Sequence, residues 1–378
     1  MNFTARVFSA FAIAGVSVLG VSSTAQAAPM TVTTLTGFSF TSGAAFSHDG
    51  ERVFIVQEDY VSGVSSVVVL DARTLARLGE PISSGVTGAG GTHAIAVSPD
   101  GAKAYVSLGS GIVKPFFPAT LTFGPAITVG TSGVGEIAFT PDGTKAYVAV
   151  NNNGTGQYVK VIDVANDAVV SSVSACGGPL SLAITPDGLK VFVNCGDGTL
   201  SVIETTGNSV VTNFTPTGHL QGTTITMAPD GSRVYATSFA VPSTVTTVIN
   251  TSTYLELHQF TNEPKDVSFT NDGSTAFIMS ASSGDFVPTD PVSFAAGTPI
   301  NVTSPEPGGW FLTDKNPRAD QYVITGNSAG IVYVLGGLPA LADTGASELI
   351  VAWSAAGAIT FIGAGLSAVL LSRHWRLT

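Results

Sequence analysis

Short runs of apolar and β-branched residues recur along most of the chain, and they come in pairs separated by an Asp-Gly dipeptide. One pair consists of residues 182–184 (Leu-Ala-Ile) and 191–193 (Val-Phe-Val), with residues 185–188 (Thr-Pro-Asp-Gly) between them. Apolar and polar residues that alternate with a period of two predict half-buried strands. Asp-Gly between two such runs predicts a tight turn, because glycine adopts a positive φ at low cost. The pattern therefore predicts a series of antiparallel hairpins.

The hairpin pattern occurs six times, and two further strand-like runs follow it in each period, such as residues 158–163 and 168–173 in the third copy. Successive Asp-Gly pairs begin 42 to 51 positions apart, at Asp49, Asp100, Asp142, Asp187, Asp230 and Asp272. Four short strands in a period of about 42 residues are typical of one blade of a β-propeller.

A seventh, degenerate copy has three strand-like runs, at residues 310–313, 321–325 and 330–334. Residues 31–35 (Thr-Val-Thr-Thr-Leu) form a further run that has no blade of its own. Placing this run in the last blade closes the ring and removes two exposed sheet edges. We therefore predict an all-β fold, a seven-bladed β-propeller of four-stranded antiparallel blades over residues 28–337, with six or eight blades as the alternatives.

The repeats resemble the Tyr-Val-Thr-Asn family of β-propeller repeats. One of the best matches is Phe192-Val193-Asn194, which follows the Thr-Pro-Asp-Gly segment at residues 185–188. The resemblance implies a propeller across most of residues 30–335.

Residues 1–27 are typical of a signal peptide. Arg6 supplies the positive end, residues 7–20 are uncharged and mostly apolar, and Ala25-Gln26-Ala27 provides the small residues that signal peptidase requires. An uncleaved N-terminal anchor is the alternative, although the apolar run is short for a membrane span.

Residues 349–371 are uncharged and mostly apolar, which predicts one C-terminal transmembrane helix. Residues 372–378 form a short basic tail with Arg373 and Arg376. Positive charge directly after a span favours the cytoplasmic side, so the propeller is expected outside the cell.

A pentapeptide in the linker at residues 338–348 adds to this prediction; it reads Leu341-Ala342-Asp343-Thr344-Gly345. Motif, apolar span and basic tail together resemble the cell-wall sorting signals that sortases recognise. The common family motif is Leu-Pro-x-Thr-Gly, and Ala342 stands at the proline position, as in the Leu-Ala-x-Thr-Gly variant associated with actinobacterial sortases. The resemblance implies cleavage after Thr344 and transfer to peptidoglycan, with sortase and peptidoglycan as partners at a Gram-positive cell surface. A plain tail anchor is the alternative.

Charge narrows the classes of partner. Only 11% of the residues are charged, and the net charge is −11. An acidic surface repels phosphate groups, so we expect no nucleic-acid binding, and membrane contact only through the C-terminal helix.

Propeller topology gives the molecule two different faces. The Asp-Gly turns and the connections from third to fourth strands lie on one, here called the turn face. The connections from second to third strands and between blades lie on the other, the loop face. Loops on a repeated scaffold often carry binding sites, although tolerated surface variation is the alternative. The candidate binding residues on the loop face are Asp59, Tyr60, His93, Asn152, His219 and Phe286.

Cys176 and Cys195 both fall on the loop face of the fourth blade. Export permits a disulfide, and their positions beside two paired strands favour one. Two separate small core residues are the alternative.

Candidate chemistry is sparse. The histidines of the predicted propeller lie in different blades, and neither His-x-x-His nor Gly-x-Ser-x-Gly occurs. The Asp residues of the Asp-Gly pairs are interpreted as turn formers, and the sequence predicts no metal or cofactor site. The leading hypothesis is a non-enzymatic surface module that binds or adheres to an unknown extracellular ligand. The alternatives are a lactonase-like hydrolase and a passive coat protein.

Overall fold

The strands form a ring of seven sheets, as seen in a computed structural model. The structure describes residues 32–336, except 60, 88–93, 109–110, 132, 152–156, 240–243, 262, 281–283, 302–310 and 327–329, and also residues 352–353 and 359–360. Within these residues every sheet of the ring is antiparallel, and consecutive strands are neighbours in five of the seven. The prediction of an all-β, seven-bladed propeller is confirmed.

Blades 1 to 3 follow one another from residue 40 to residue 173. The strands of blade 1 are Phe40–Phe46, Arg52–Glu58, Val64–Asp71 and Ile82–Thr87. Those of blade 2 are Ile95–Val97, Ala104–Leu108 and Ile112–Phe117, with the outer position divided between Thr122–Phe123 and Ile127–Thr128. Those of blade 3 are Val134–Phe139, Lys145–Val150, Tyr158–Asp163 and Ala168–Val173.

Blades 4 to 7 complete the circle. The strands of blade 4 are Pro179–Ile184, Lys190–Cys195, Leu200–Glu204 and Ser209–Phe214, and those of blade 5 are Gln221–Met227, Arg233–Phe239, Val245–Asn250 and Glu256–Phe260. Blade 6 has Pro264–Phe269, Ala276–Ser280 and Phe286–Thr289. Blade 7 has Phe311–Lys315, Gln321–Gly326 and Val332–Gly336.

Blade 6 departs from the regular pattern. The part of the fourth strand that the structure describes is reduced to two isolated bridges, Phe286 with Ile300 and Thr289 with Ala296.

The N-terminal strand Val32–Leu35 supplies the fourth strand of blade 7, as expected. It pairs antiparallel with Val332–Gly336, with Val32 opposite Leu335 and Leu35 opposite Val332. The chain thereby joins its first strand to its last blade and covers an edge that would otherwise be open.

The core lies between neighbouring blades rather than at one centre. Val159 and Val161 of blade 3, for example, share a buried cluster with Val191 and Val193 of blade 4. Strands buried on both faces explain why the repeats are so rich in Val, Ile and aromatic residues.

The Asp-Gly turns have one recurring hydrogen-bond pattern. In blade 3, Asp142 Oδ1 accepts hydrogen bonds from Thr140 Oγ1 at 2.6 Å and from the Thr144 amide at 3.0 Å. Gly143 has φ +69°, a conformation that favours glycine. All six aspartates accept a bond from the amide two residues later, which confirms them as turn formers: Asp49, Asp100, Asp142, Asp187, Asp230 and Asp272.

A cation close after each of five Asp-Gly turns connects its blade to the next. Lys145 of blade 3 donates from Nζ to the Thr205 carbonyl of blade 4 at 2.6 Å, and Arg52 of blade 1 donates to the Pro118 carbonyl of blade 2 at 3.0 Å. In blade 7, Gln321 has this role and donates to the Ala72 carbonyl of blade 1 at 2.9 Å. The turn face is therefore held together by side chains that cross between blades.

Both ends of the described propeller leave from the turn face. Val32 begins the fourth strand of blade 7 opposite Leu335, near the end of the third strand at Gly336. A third strand ends on the turn face in this topology. The segment that carries the predicted anchor therefore starts on the side opposite the loop face.

The predicted signal peptide and the pentapeptide at residues 341–345 lie outside the described residues. Within the predicted membrane helix the structure describes only two short paired strands, Ala352–Trp353 and Ile359–Thr360. None of the described segments is a helix with the length and apolarity needed to cross a membrane.

Candidate functional site

A solvent-open pocket of about 360 Å³ lies on the loop face, where blades 3, 4 and 5 meet. Its wall consists of polar side chains, one leucine and three glycines. The side chains are those of Asn151, Gln157, Leu180, Asp197 and Gln221, and the glycines are Gly177, Gly178 and Gly196.

Two loops of blade 4 form the floor of the pocket, and a disulfide joins them. Cys176 and Cys195 are bonded, with 6.2 Å between their Cα atoms. The Gly196 amide donates to the Gly178 carbonyl at 2.7 Å, and the Asp197 amide donates to the Gly177 carbonyl at 3.0 Å. The pocket thus has a floor fixed by both covalent and hydrogen bonds.

Glycine is favoured at two positions of this floor. A Cβ atom at Gly177 would lie 2.4 Å from Asp197 Oδ2, and Gly178 has φ +75°. Both conditions disfavour any larger residue.

Hydrogen bonds also hold the polar side chains of the pocket in place. Asp197 accepts from the Gly177 amide at 2.8 Å and from the Thr199 amide at 2.9 Å. Gln157 Oε1 accepts from the Gly178 amide at 2.6 Å. Because carboxamides carry both donors and acceptors, these residues suit a ligand that has both.

Two exposed apolar residues lie next to Gln221 of the pocket wall and are here called the apolar rim, Leu220 and Phe239. The backbone of Leu220 lies against Gly198, next to Asp197, and the Leu220 amide donates to Ser238 Oγ at 3.1 Å. Phe239 pairs with Gln221 across the first two strands of blade 5. The side chains of Leu220 and Phe239 are 59% and 52% exposed, so both are accessible to solvent near Gln221.

Of the six candidate binding residues, Asp59 is exposed on the loop face as expected. Its carboxylate accepts from the Ser62 amide at 2.7 Å and the Val61 amide at 3.0 Å, and these bonds lower its pKa. It therefore shapes its own loop. Tyr60, His93 and Asn152 lie outside the described residues.

His219 and Phe286 correct the prediction, because both are buried rather than displayed, at 4% and 2% exposure. His219 Nε2 forms a hydrogen bond with Thr247 Oγ1 at 3.0 Å, and burial lowers its pKa to about 4. Phe286 packs with Tyr322 and Leu335. Both side chains support the loops from within.

Around the axis, the first strands of adjacent blades contact one another and carry several buried polar residues. Glu136 of blade 3 accepts hydrogen bonds from Ser181 Oγ and from the Leu182 amide of blade 4. Asp314 of blade 7 accepts from the Phe46 amide of blade 1 at 2.7 Å. Burial raises the pKa of Glu136 to about 7 and that of Asp314 to about 6. These carboxyl groups connect blades.

Among the described side chains, no group of three or more His, Cys, Asp or Glu residues is arranged to hold a metal ion. The candidate site is therefore the polar pocket and its apolar rim. Its sequence signal is the pair of glycine-rich segments, residues 177–178 and 196–198, next to the two cysteines.

Two solved structures that resemble this chain are propellers. One is Kuenenia stuttgartiensis hydrazine synthase, with 20% identity, a TM-score of 0.66, and coverage of 81% of this chain and 97% of that chain. Another is the β-propeller domain of Myceliophteria thermophila Cps50 (Swd1), with 11% identity, a TM-score of 0.65, and coverage of 82% and 99%. No protein-family model and no curated protein matches the chain. At these identities the likeness establishes the fold alone.

Proposed function

We propose that this chain is a secreted, wall-anchored propeller that binds an extracellular ligand through its loop face and is not itself an enzyme. The observation that carries the proposal is the position of the pocket. It lies on the loop face, whereas the described propeller begins at Val32 and ends at Gly336 on the turn face. A tether attached at Gly336 would present the pocket away from the cell.

The proposed attachment rests on the sequence at both ends. Residues 1–27 would direct export, and sortase would join Thr344 to peptidoglycan after the span at 349–371 has held the chain at the membrane. We also propose, from residues 185–194, that the blades belong among the Tyr-Val-Thr-Asn repeats.

Attachment is tested with Thr344→Ala in the producing cell, because this change removes the residue that would form the bond to the wall. The expected result is loss of the protein from the wall fraction. Asp343→Ala is the matched control, since the neighbouring position is variable in the sorting motif. Equal wall attachment of the Thr344→Ala variant and the wild type would refute sorting.

Orientation is tested with two single cysteines on intact cells. Val61, on the loop face of blade 1, is 97% exposed, and Leu189, in an Asp-Gly turn, is 57% exposed. A bulky, membrane-impermeant maleimide should label Val61→Cys faster than Leu189→Cys on cells, and the two more equally in the released protein. Preferential labelling of Leu189→Cys on cells would contradict the proposed display.

Binding is tested with the full-length chain against immobilised glycans, extracellular proteins and peptides. The expected result is retention that a charge placed on the loop face, Phe239→Glu, abolishes and that Leu189→Glu on the turn face does not. Absence of any binding together with metal-dependent ester hydrolysis would replace this proposal with the hydrolase alternative.

A further inference from the structure

The pocket between blades 3, 4 and 5 has a chemistry that narrows its ligand. We propose that it binds a neutral saccharide; this inference rests on the binding function proposed above and specifies its ligand class. Charge, hydrogen-bonding capacity, the apolar rim and size all support it.

Charge disfavours an ionic ligand. Asp197 is the one ionisable residue in the described lining, and both of its oxygens already accept backbone hydrogen bonds. A phosphate, sulfate or carboxylate group would meet this carboxylate without a compensating cation, on a protein with a net charge of −11. A cationic ligand would gain little, because a single exposed carboxylate contributes about 1 kcal/mol or less.

Hydrogen-bonding capacity favours hydroxyl groups. Asn151, Gln157 and Gln221 carry carboxamides, each with two donor hydrogens and one acceptor oxygen, and the Gln157 oxygen already accepts from the Gly178 amide. A hydroxyl both donates and accepts, so a polyhydroxylated ring can bond to either end of a carboxamide. The Gly177 and Gly178 floor has no side chain, which lets a ring approach the backbone closely.

The rim supplies the apolar contact that a sugar ring also needs. Leu220 and Phe239 remain 59% and 52% exposed next to Gln221. An aromatic face is a rigid apolar surface against which the C–H face of a sugar ring can pack. A polar pocket with an exposed aromatic residue paired to its Gln221 therefore matches the two-sided character of a saccharide.

Size is consistent with a small ligand. The volume of about 360 Å³ lies near the lower end of the range of about 300–1,000 Å³ for small-molecule sites. The opening to solvent permits a longer chain to continue beyond the bound unit.

The test uses the full-length protein on an array that carries neutral, sialylated or sulfated, and amino-sugar glycans, together with peptides. We expect binding to neutral glycans. Gln221→Ala removes an exposed carboxamide, and the affinity should fall about threefold to tenfold, as for one lost hydrogen bond. Phe239→Ala should weaken binding by a similar factor.

Matched controls separate pocket effects from general ones. Leu255→Ala removes an apolar side chain that is 65% exposed elsewhere in blade 5, and Asp59→Asn alters a loop-face carboxylate in blade 1. Both should bind like the wild type. Unchanged thermal unfolding shows that each variant is folded. If Gln221→Ala does not fold, Asn151→Ala replaces it as the pocket variant.

The failures of this inference and of the proposed function are distinguishable. Binding confined to charged glycans or peptides, or neutral-glycan binding that the pocket variants leave unchanged, would overturn the saccharide inference and leave a binding propeller. No binding to any member of the array would overturn the inference. If the wider panel of extracellular proteins also showed no binding, the proposed binding function would be refuted as well.

Discussion

Two carboxyl groups near the axis, those of Glu136 and Asp314, have pKa values raised by burial. The pKa of Glu136 is raised from 4.5 to about 7 because burial disfavours the charged form. An acid whose pKa is raised by folding stabilises the protein fully below its unfolded pKa. That contribution is lost as the pH rises through the folded pKa.

We therefore expect the wild type to lose stability between about pH 4.5 and pH 7 through this group, by about 3 kcal/mol at most. Glu136→Gln retains an acceptor for the Leu182 amide and cannot ionise, so it should flatten this part of the pH profile. Chemical denaturation at a series of pH values measures the effect. An unchanged slope in the variant would show that Glu136 does not titrate in this range.

The roles of individual residues were the hardest feature to predict from the sequence. His219 and Phe286 look like ligand contacts because polar and aromatic residues near loops often bind. Their burial depends on Thr247 and Tyr322, which no local pattern connects to them. The pocket around Asp197 and Gly177 was partly indicated by the sequence, because a glycine follows each of the two cysteines. The contact between Asp197 and Gly177 could not be predicted, because it forms only when two loops come together.

At the scale of the element, the hairpin of each blade was predictable and its link to the next blade was not. Asp142 and Gly143 indicate a turn through local geometry alone. Lys145 also recurs, as a cation two positions after the glycine in blades 1 to 5. Its role depends on the Thr205 carbonyl, 60 residues further along the chain. The repeat sequence thus predicts the strands and turns of each blade, whereas the hydrogen-bond partners of the cations are known only once the ring is closed.

Lys145→Met tests this inter-blade link. Nζ donates to Thr205 O at 2.6 Å and lies 3.4 Å from Asn208 Oδ1, so the change should lower the unfolding free energy by about 1–2 kcal/mol. Lys160→Met is the matched control, because Lys160 donates to Ser172 within its own blade and should change stability by less than about 0.5 kcal/mol. Equal effects would refute a special role for the turn-face cations.

The disulfide is the second testable element. Cys176 and Cys195 are 19 residues apart, and closing a loop of that size contributes about 3 kcal/mol. Replacing both by Ser should lower stability by this order and should also weaken ligand binding, because Gly177 and Gly196 would lose their covalent support. Denaturation and binding measured on the same preparation check both effects. Unchanged ligand affinity would show that hydrogen bonds alone fix the pocket.

At the scale of the whole molecule, closure of the ring by the N-terminal strand was predictable by counting. Blade 7 lacked a fourth run, and residues 31–35 lacked a blade. The structure pairs Val32–Leu35 with the third strand of blade 7. The described part of the fourth strand of blade 6 consists of bridges at Ala296 and Ile300, and this was not foreseen, because these residues lie in a segment without clear alternation.

Deleting residues 32–35 tests the closure. The third strand of blade 7 would become an exposed edge, so the deletion should lower the Tm by several degrees and promote self-association. Thr33→Val keeps a β-forming residue in the same strand and serves as the control. Calorimetry and light scattering provide the measurements, and a deletion variant as stable and monomeric as the wild type would contradict this closure.

The central claim is that ligand binds on the loop face at blades 3 to 5, opposite the tether. Hydrogen–deuterium exchange of the full-length protein, with and without a glycan that binds on the array, tests it most directly. The account predicts ligand-dependent protection of residues 176–178, 195–199 and 219–221, with no change in the Asp-Gly turns. Protection confined to the turn face or to the first strands around the axis would contradict it.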